Sequence, residues 1–216
     1  MEHVSIKEYI ADDMWGHILM SGEAVRGCAM GTTCSTAAEK LDYCKGIMVT
    51  FPFMMLANFS RWYKEHVDPA MKEYAPFMDA ALPPLQAEVF PQLEAYFNAE
   101  APLPEAERGA ILIPLLTDRI PKYVLGEFYA YFFGGSPEAG DLQTFWASVE
   151  PLLQLTARML EAAYDTERPI SLEVRGELFK YVGTRYPFYL LKRWYDWQFG
   201  QDVLDFPPPP PEDQAD

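Results

Sequence analysis

Four residues near the start of the chain carry side chains suited to soft or borderline metals: His17, Cys28, Cys34 and Cys44. Thiolates are soft and charged and imidazole is borderline, so together they could ligate Zn or an iron–sulfur cluster. Their spacing argues the other way. Ten, five and nine residues intervene, and no pair has the Cys-x-x-Cys separation that presents two thiolates from one turn. An odd, clustered number of cysteines is not a disulfide framework either. The expectation is three free thiols in a reducing compartment, with a Zn or Fe–S site on these four residues as the alternative.

Other chemistry is thinner. Asp13 and His17, four apart, share a helix face and read as a helix-surface pair. A carboxylate-bridged metal centre needs Glu-x-x-His on two helices, and the chain has three histidines (His3, His17, His66) with no such pair. There is no Gly-x-Ser-x-Gly elbow, no P-loop and no Gly-x-Gly-x-x-Gly. A non-catalytic role is expected, with no cofactor.

What the chain does have is aromatic and methionine surface. The most apolar run is Gly46–His66, with Phe51, Met54, Met55, Phe59 and Tyr63. It is shorter than the roughly 20 apolar residues a membrane helix needs, and Pro52 should start or kink a helix within it. Near the other end, Arg175–Phe199 interleaves five basic residues, among them Arg185, with aromatics including Trp194 and Trp197. That mixture suits either an amphipathic helix docked on the core or a surface that grips a peptide.

Composition narrows the class. The chain has 216 residues, half of them hydrophobic and 15% aromatic, with a net charge of −15. Such a field disfavours nucleic acid, whose affinity comes mostly from cations on phosphates, and favours basic partners. The N-terminus lacks a basic region followed by an apolar core, so a cytoplasmic location and no membrane insertion are expected.

The elements that must position these residues read as helices. No run sustains period-two alternation, and hairpin turn dipeptides are missing. A helix is expected over about Ile6–Val25. Ser35 or Thr36 should cap a second. A segment Pro69–Met78 should be broken by Leu82–Pro83–Pro84, with Leu85–Asn98 following. Pro121 should open a helix to Phe133, ended by Gly134–Gly135. Ser136–Pro137–Glu138 should start another, Pro151 restart it, Ser171 cap Leu172–Val182, and Pro187–Phe199 come last. Together they predict an irregular, all-α, single domain over residues 1–206, with a possible N-terminal subregion 1–45. Residues 207–216 read as a Pro-rich acidic tail.

One stretch resembles a known family. Glu127–Gly135, EFYAYFFGG, is similar to the Glu-Tyr-x-x-Leu-Phe-x-Gly-Pro hinge of TorD/DmsD/NarJ-type chaperones, with Glu127, Phe128, Phe132 and Gly134 at the matching positions and Gly135 in place of the proline. The resemblance implies an acidic, all-α cytoplasmic protein that assists redox metalloenzyme assembly and binds leader peptides.

The leading expectation is therefore an accessory or chaperone-like protein that binds a basic or hydrophobic peptide or partner subunit. Its groove would use Phe51, Met54, Met55, Phe59, Glu127, Phe128, Phe132, Arg185, Trp194 and Trp197. The alternatives are a metal- or Fe–S-binding subunit of a redox enzyme and a helical binder of a small apolar ligand lined by the same Met and aromatic residues.

Overall fold

The computed structural model describes residues 15–135 and 140–199, and all regular structure in them is helical. In chain order the helices are α1 (Trp15–Met30), α2 (Ala37–Lys45), α3 (Phe51–His66), α4 (Tyr74–Tyr96), α5 (Glu105–Pro114), α6 (Ile120–Phe133), α7 (Gly140–Tyr164), α8 (Leu172–Gly183) and α9 (Arg185–Phe199). The expected all-α class is what the chain adopts. The Pro-rich tail, Asp13, His3 and the Ser136–Pro137–Glu138 start signal lie outside the described residues.

Two joints are unusual. A π turn, Gly46–Thr50, links α2 to α3, and a second, Leu115–Arg119, links α5 to α6. Each closes with a bond five residues back, from Phe51 to the Gly46 carbonyl and from Ile120 to the Leu115 carbonyl. In both cases a proline, Pro52 or Pro121, follows two residues after the turn. A proline ring crowds the carbonyl four residues before it and offers no N–H to it. Those carbonyls belong to Met48 and Thr117, inside the two π turns, so the turn that widens is the one the ring crowds.

The remaining internal prolines behave differently from the sequence expectation. Pro83 and Pro84 do not break the chain, because α4 runs unbroken from Tyr74 to Tyr96 through them and through Pro91. All three are exposed, and so are Asp79, Ala80 and Ala87, whose carbonyls lose their helical partner. Water can take those carbonyls. On the opposite stripe Phe77, Ala81, Leu85, Val89 and Leu93 recur every four residues and are buried, the last three completely. Each large side chain so buried contributes about 1.5–3 kcal/mol, comparable to the ~3 kcal/mol per interior proline that opposes the helix. Pro151 likewise sits exposed inside a continuous α7 rather than restarting it.

Several ends follow their expected chemistry. Thr36 caps α2 with a full capping box: its hydroxyl accepts from the Glu39 amide at 3.2 Å, and the Glu39 carboxylate accepts from the Thr36 amide at 3.0 Å. Ser171 caps α8 by accepting from the Val174 amide at 3.2 Å. Gly134 ends α6 at φ +74°, in the left-handed region where a side chain would be strained.

One hydrophobic cluster joins α3 to α9, and its centre is aromatic. Phe59 and Phe128 each meet Trp194 edge-on at 5.5 Å, and Phe77 meets Phe128 edge-on at 5.6 Å. Against this body α1 lies along α8. The approach is close because glycines face it: a Cβ on Gly176 would come within 2.9 Å of Met30, and one on Gly183 within 2.9 Å of Val25. Flanking ions tie the pair, Arg26 to Glu177 at 2.5 Å and Lys180 to Glu23.

The three free thiols are corrected by this fold. Cys28, in the last turn of α1, and Cys34, in the following loop, form a disulfide with Cα atoms 4.6 Å apart. The chain between them is a tight reversal: Gly31 adopts φ +75°, and the amides of Thr32 and Thr33 both donate to the Gly27 carbonyl, at 2.8 and 3.1 Å. That reversal brings two cysteines with five residues between them into bonding range. Cys44 is the free thiol.

Candidate functional site

The helices border a cavity of about 510 Å³ that is open to solvent on one side. It is walled by the end of α1 (Val25, Cys28), by α2 (Tyr43, Cys44), by both π turns (Ile47, Met48, Leu116) and by the opening of α3 (Met55, Leu56). The wall is completed by α5, α6, α8 and α9. Both proline-widened joints thus border the same space. Most of the lining is carbon, from Val, Leu, Ile, Met, Pro and Phe. The volume falls in the range of small-molecule sites, roughly 300–1,000 Å³.

The space is open to solvent, so water can enter it, and what matters is how well its wall can hold that water. The wall offers water few partners, because its hydroxyls are engaged. Tyr186 donates to the Leu116 carbonyl at 2.9 Å, Tyr43 donates to the Ser21 carbonyl at 3.1 Å, and Tyr96 shares a 2.6 Å hydrogen bond with Tyr164. Burial pushes the Tyr96, Tyr164 and Tyr186 phenols above their ordinary range, so all three stay neutral.

The charged lining is small and uneven: Lys40, Arg108 and Arg175 against the single carboxylate of Glu105. Arg175 donates to Glu105 at 2.6 Å, and its guanidinium lies over the rings of Tyr164 and Phe179, 5.2 and 5.9 Å from their centroids. Arg108 stands 3.5 Å from the other Glu105 oxygen and 5.5 Å from the Tyr96 centroid, and its Nε is buried without a hydrogen-bond partner. Glu105 and Arg175 also line a smaller adjoining pocket of about 220 Å³ with Asp165 and Ile170. Leu172 lines the same cavity and is 56% exposed, so the cavity reaches the surface there.

Comparison with protein-family models, curated proteins and solved structures gives no match for this chain. The site stands on its own geometry.

The residues singled out from sequence divide between this cavity and the solid core. Met55 lines the cavity. Phe59, Phe128 and Trp194 are buried against one another. Phe51, Phe132, Glu127 and Trp197 are half-buried, and Trp197 lies tilted against Tyr129 and Phe145, 5.8 and 5.6 Å between ring centroids. Met54 and Arg185 are exposed. Phe59, Phe128 and Trp194 therefore fill the interior, while Phe51, Phe132 and Trp197 keep part of their surface exposed. Within the stretch similar to the chaperone hinge, Phe128 is a core ring and Gly134 the left-handed helix end.

Of the four candidate metal ligands, Cys28 and Cys34 are bonded to each other, which leaves neither thiolate for a metal in this state. Burial pushes the Cys44 thiol up to about 12, so it stays protonated. His17 is in the first turn of α1, outside the part whose side chains are described. Among the described residues no group of three or more His, Cys, Asp or Glu could hold a metal. No helix of the described residues is long and apolar enough to cross a membrane.

The sequence reading missed Glu105, Arg108 and Arg175 as a set. They lie on α5 and α8, some 70 residues apart in sequence, and carry no local signature. The available signal was basic residues within apolar stretches of an acidic chain.

Proposed function

We propose that this protein binds a small, largely apolar molecule in its central cavity. The observation that carries the reading is the cavity itself: about 510 Å³, carbon-lined, bordered by both π turns and open beside Leu172. Displacing poorly bound water from such a space favours an apolar occupant, because few wall groups compete for the water. π turns are frequent at functional sites, since they widen a helix where something must fit. The metal-subunit reading is weakened by the disulfide. The peptide-groove reading is weakened by the burial of Phe59, Phe128 and Trp194.

The same reading gives the disulfide a place. Cys28 lines the cavity while its bond to Cys34 fixes the loop behind it, so closing the bond holds that wall in position. Disulfides persist in oxidising surroundings and are rare where thiols are kept reduced.

The test is direct. Purified protein, extracted into organic solvent and compared by mass spectrometry with a heat-denatured and washed sample, should release a defined apolar compound, or should take one up stoichiometrically from a lipid extract. Failure of both release and uptake would remove the reading.

A further inference from the structure

Cavity shape does not say which end of a ligand is polar, but the charges on the wall do. The protein as a whole carries −15, yet its cavity presents three cations to one carboxylate. Two of those cations, Arg108 and Arg175, converge on the same group, Glu105, from α5 and α8. Glu105 binds Arg175 closely at 2.6 Å but stands 3.5 Å from Arg108, whose Nε is buried with no hydrogen-bond partner. One carboxylate does not neutralise two guanidiniums, and a buried donor without an acceptor is costly. The pair is held in place by aromatic faces: Tyr96 for Arg108, and Tyr164 with Phe179 for Arg175.

We infer that the cavity takes a single-chain amphiphile with one carboxylate, of the long-chain fatty-acid class, its headgroup held by Arg108 and Arg175 and its hydrocarbon chain lying among the aliphatic wall residues. This rests on the apolar-ligand reading above and adds the headgroup to it. A planar guanidinium offers two parallel N–H donors to a carboxylate, which matches both charge and shape. The exposed Leu172 at the mouth, next to Arg175 in the first turn of α8, gives the chain an apolar entry path. Glu105 occupies part of the cation pair, so it works against the ligand's charge while orienting the Arg175 side chain.

The experiment is isothermal titration of the whole protein with hexadecanoate and, separately, with hexadecan-1-ol, which has the same chain and no charge. Hexadecanoate should bind more tightly by about tenfold or more, the scale of one charge-assisted hydrogen-bonded pair. Arg108→Gln should weaken hexadecanoate markedly more than the alcohol and so reduce that preference, and an unchanged preference would overturn the assignment of Arg108. Arg175→Gln also removes the ion pair that joins α8 to α5, so Glu105→Gln supplies the second arm: by removing the competing carboxylate it should tighten hexadecanoate and not the alcohol. Equal binding of acid and alcohol by the wild-type protein would overturn the headgroup assignment and leave the cavity reading standing. Binding of neither would overturn both.

Discussion

The two halves of this interior are packed to opposite ends. Around Trp194 the rings of Phe59, Phe128 and Phe133 meet at 5.5–6.3 Å, and Phe128 and Trp194 have no exposed surface. Nearby, the space bordered by α1, α2, α5 and α8 is left unfilled over about 510 Å³. Residue type explains part of the contrast. Planar rings from α3, α6 and α9 interdigitate at many angles, whereas the cavity wall is mostly aliphatic, with rings from Tyr43, Tyr96, Phe97, Phe179 and Tyr186, and is bordered by the two proline-widened joints. The lesson is that rings clustered on one another mark where this protein is solid, and that its prospective site has a mostly aliphatic wall.

The sharpest way to break the comparison is to truncate one member of each half. Phe128→Ala should cost about 3–5 kcal/mol, the usual range for a fully buried ring, read as a fall in the denaturant midpoint. Leu116→Ala, on the cavity wall, should cost only about 1 kcal/mol, because the leucine already faces open space on one side and loses fewer contacts. Equal costs at the two positions would mean that the cavity collapses in solution.

Smaller effects test the frame around the cavity. Thr36→Ala removes the capping box of α2, the helix that carries Tyr43 and Cys44 to the wall, and should lower stability by about 1 kcal/mol. Calorimetry of the variant would check it. Cys44 should resist alkylation at pH 8 while the protein is folded, since burial holds its thiol up to about 12. Mass spectrometry should therefore find no adduct on the native protein, one adduct after unfolding, and three after unfolding with reductant.

The least effect is on acid stability. The Glu39 carboxyl is held below its usual value by the Thr36 and Ser35 amides and hydroxyls, Glu23 by its bond to Lys180, and Glu88 by its bond to Arg119. A carboxyl whose folded value is depressed adds stability that is complete above its unfolded value near 4.5 and is lost as pH falls through the folded value. Thermal midpoints should hold from neutral pH down to about 5 and then decline, and Glu39→Gln should flatten that decline. Partial relief of the −15 net charge on acidification works in the opposite direction, which keeps the slope shallow.

How much of this was legible beforehand follows from range along the chain. Thr36, Ser171 and Gly134 act on groups within a few residues, and their roles in the helix ends could be read from sequence. Pro83, Pro84 and Pro91 misled because a proline's penalty depends on which face it occupies, and that face was visible only as the four-residue recurrence of Phe77, Ala81, Leu85, Val89 and Leu93. The Cys28–Cys34 bond depended on a reversal at Gly31–Thr33 that spacing alone does not specify. The cavity was illegible in principle: its wall is assembled from most of the helices, and space left between side chains has no residue of its own.

The central claim, that the hollow half is a binding site, is tested most directly by filling it. Titration of an uncharged, environment-sensitive apolar fluorophore into the wild-type protein should give saturable one-to-one binding. In Ala29→Phe, which places a ring in the cavity beside Cys28, that binding should disappear while the circular dichroism spectrum and cooperative unfolding are kept. Undiminished binding by a folded Ala29→Phe protein, or no saturable binding by the wild type, would contradict the account.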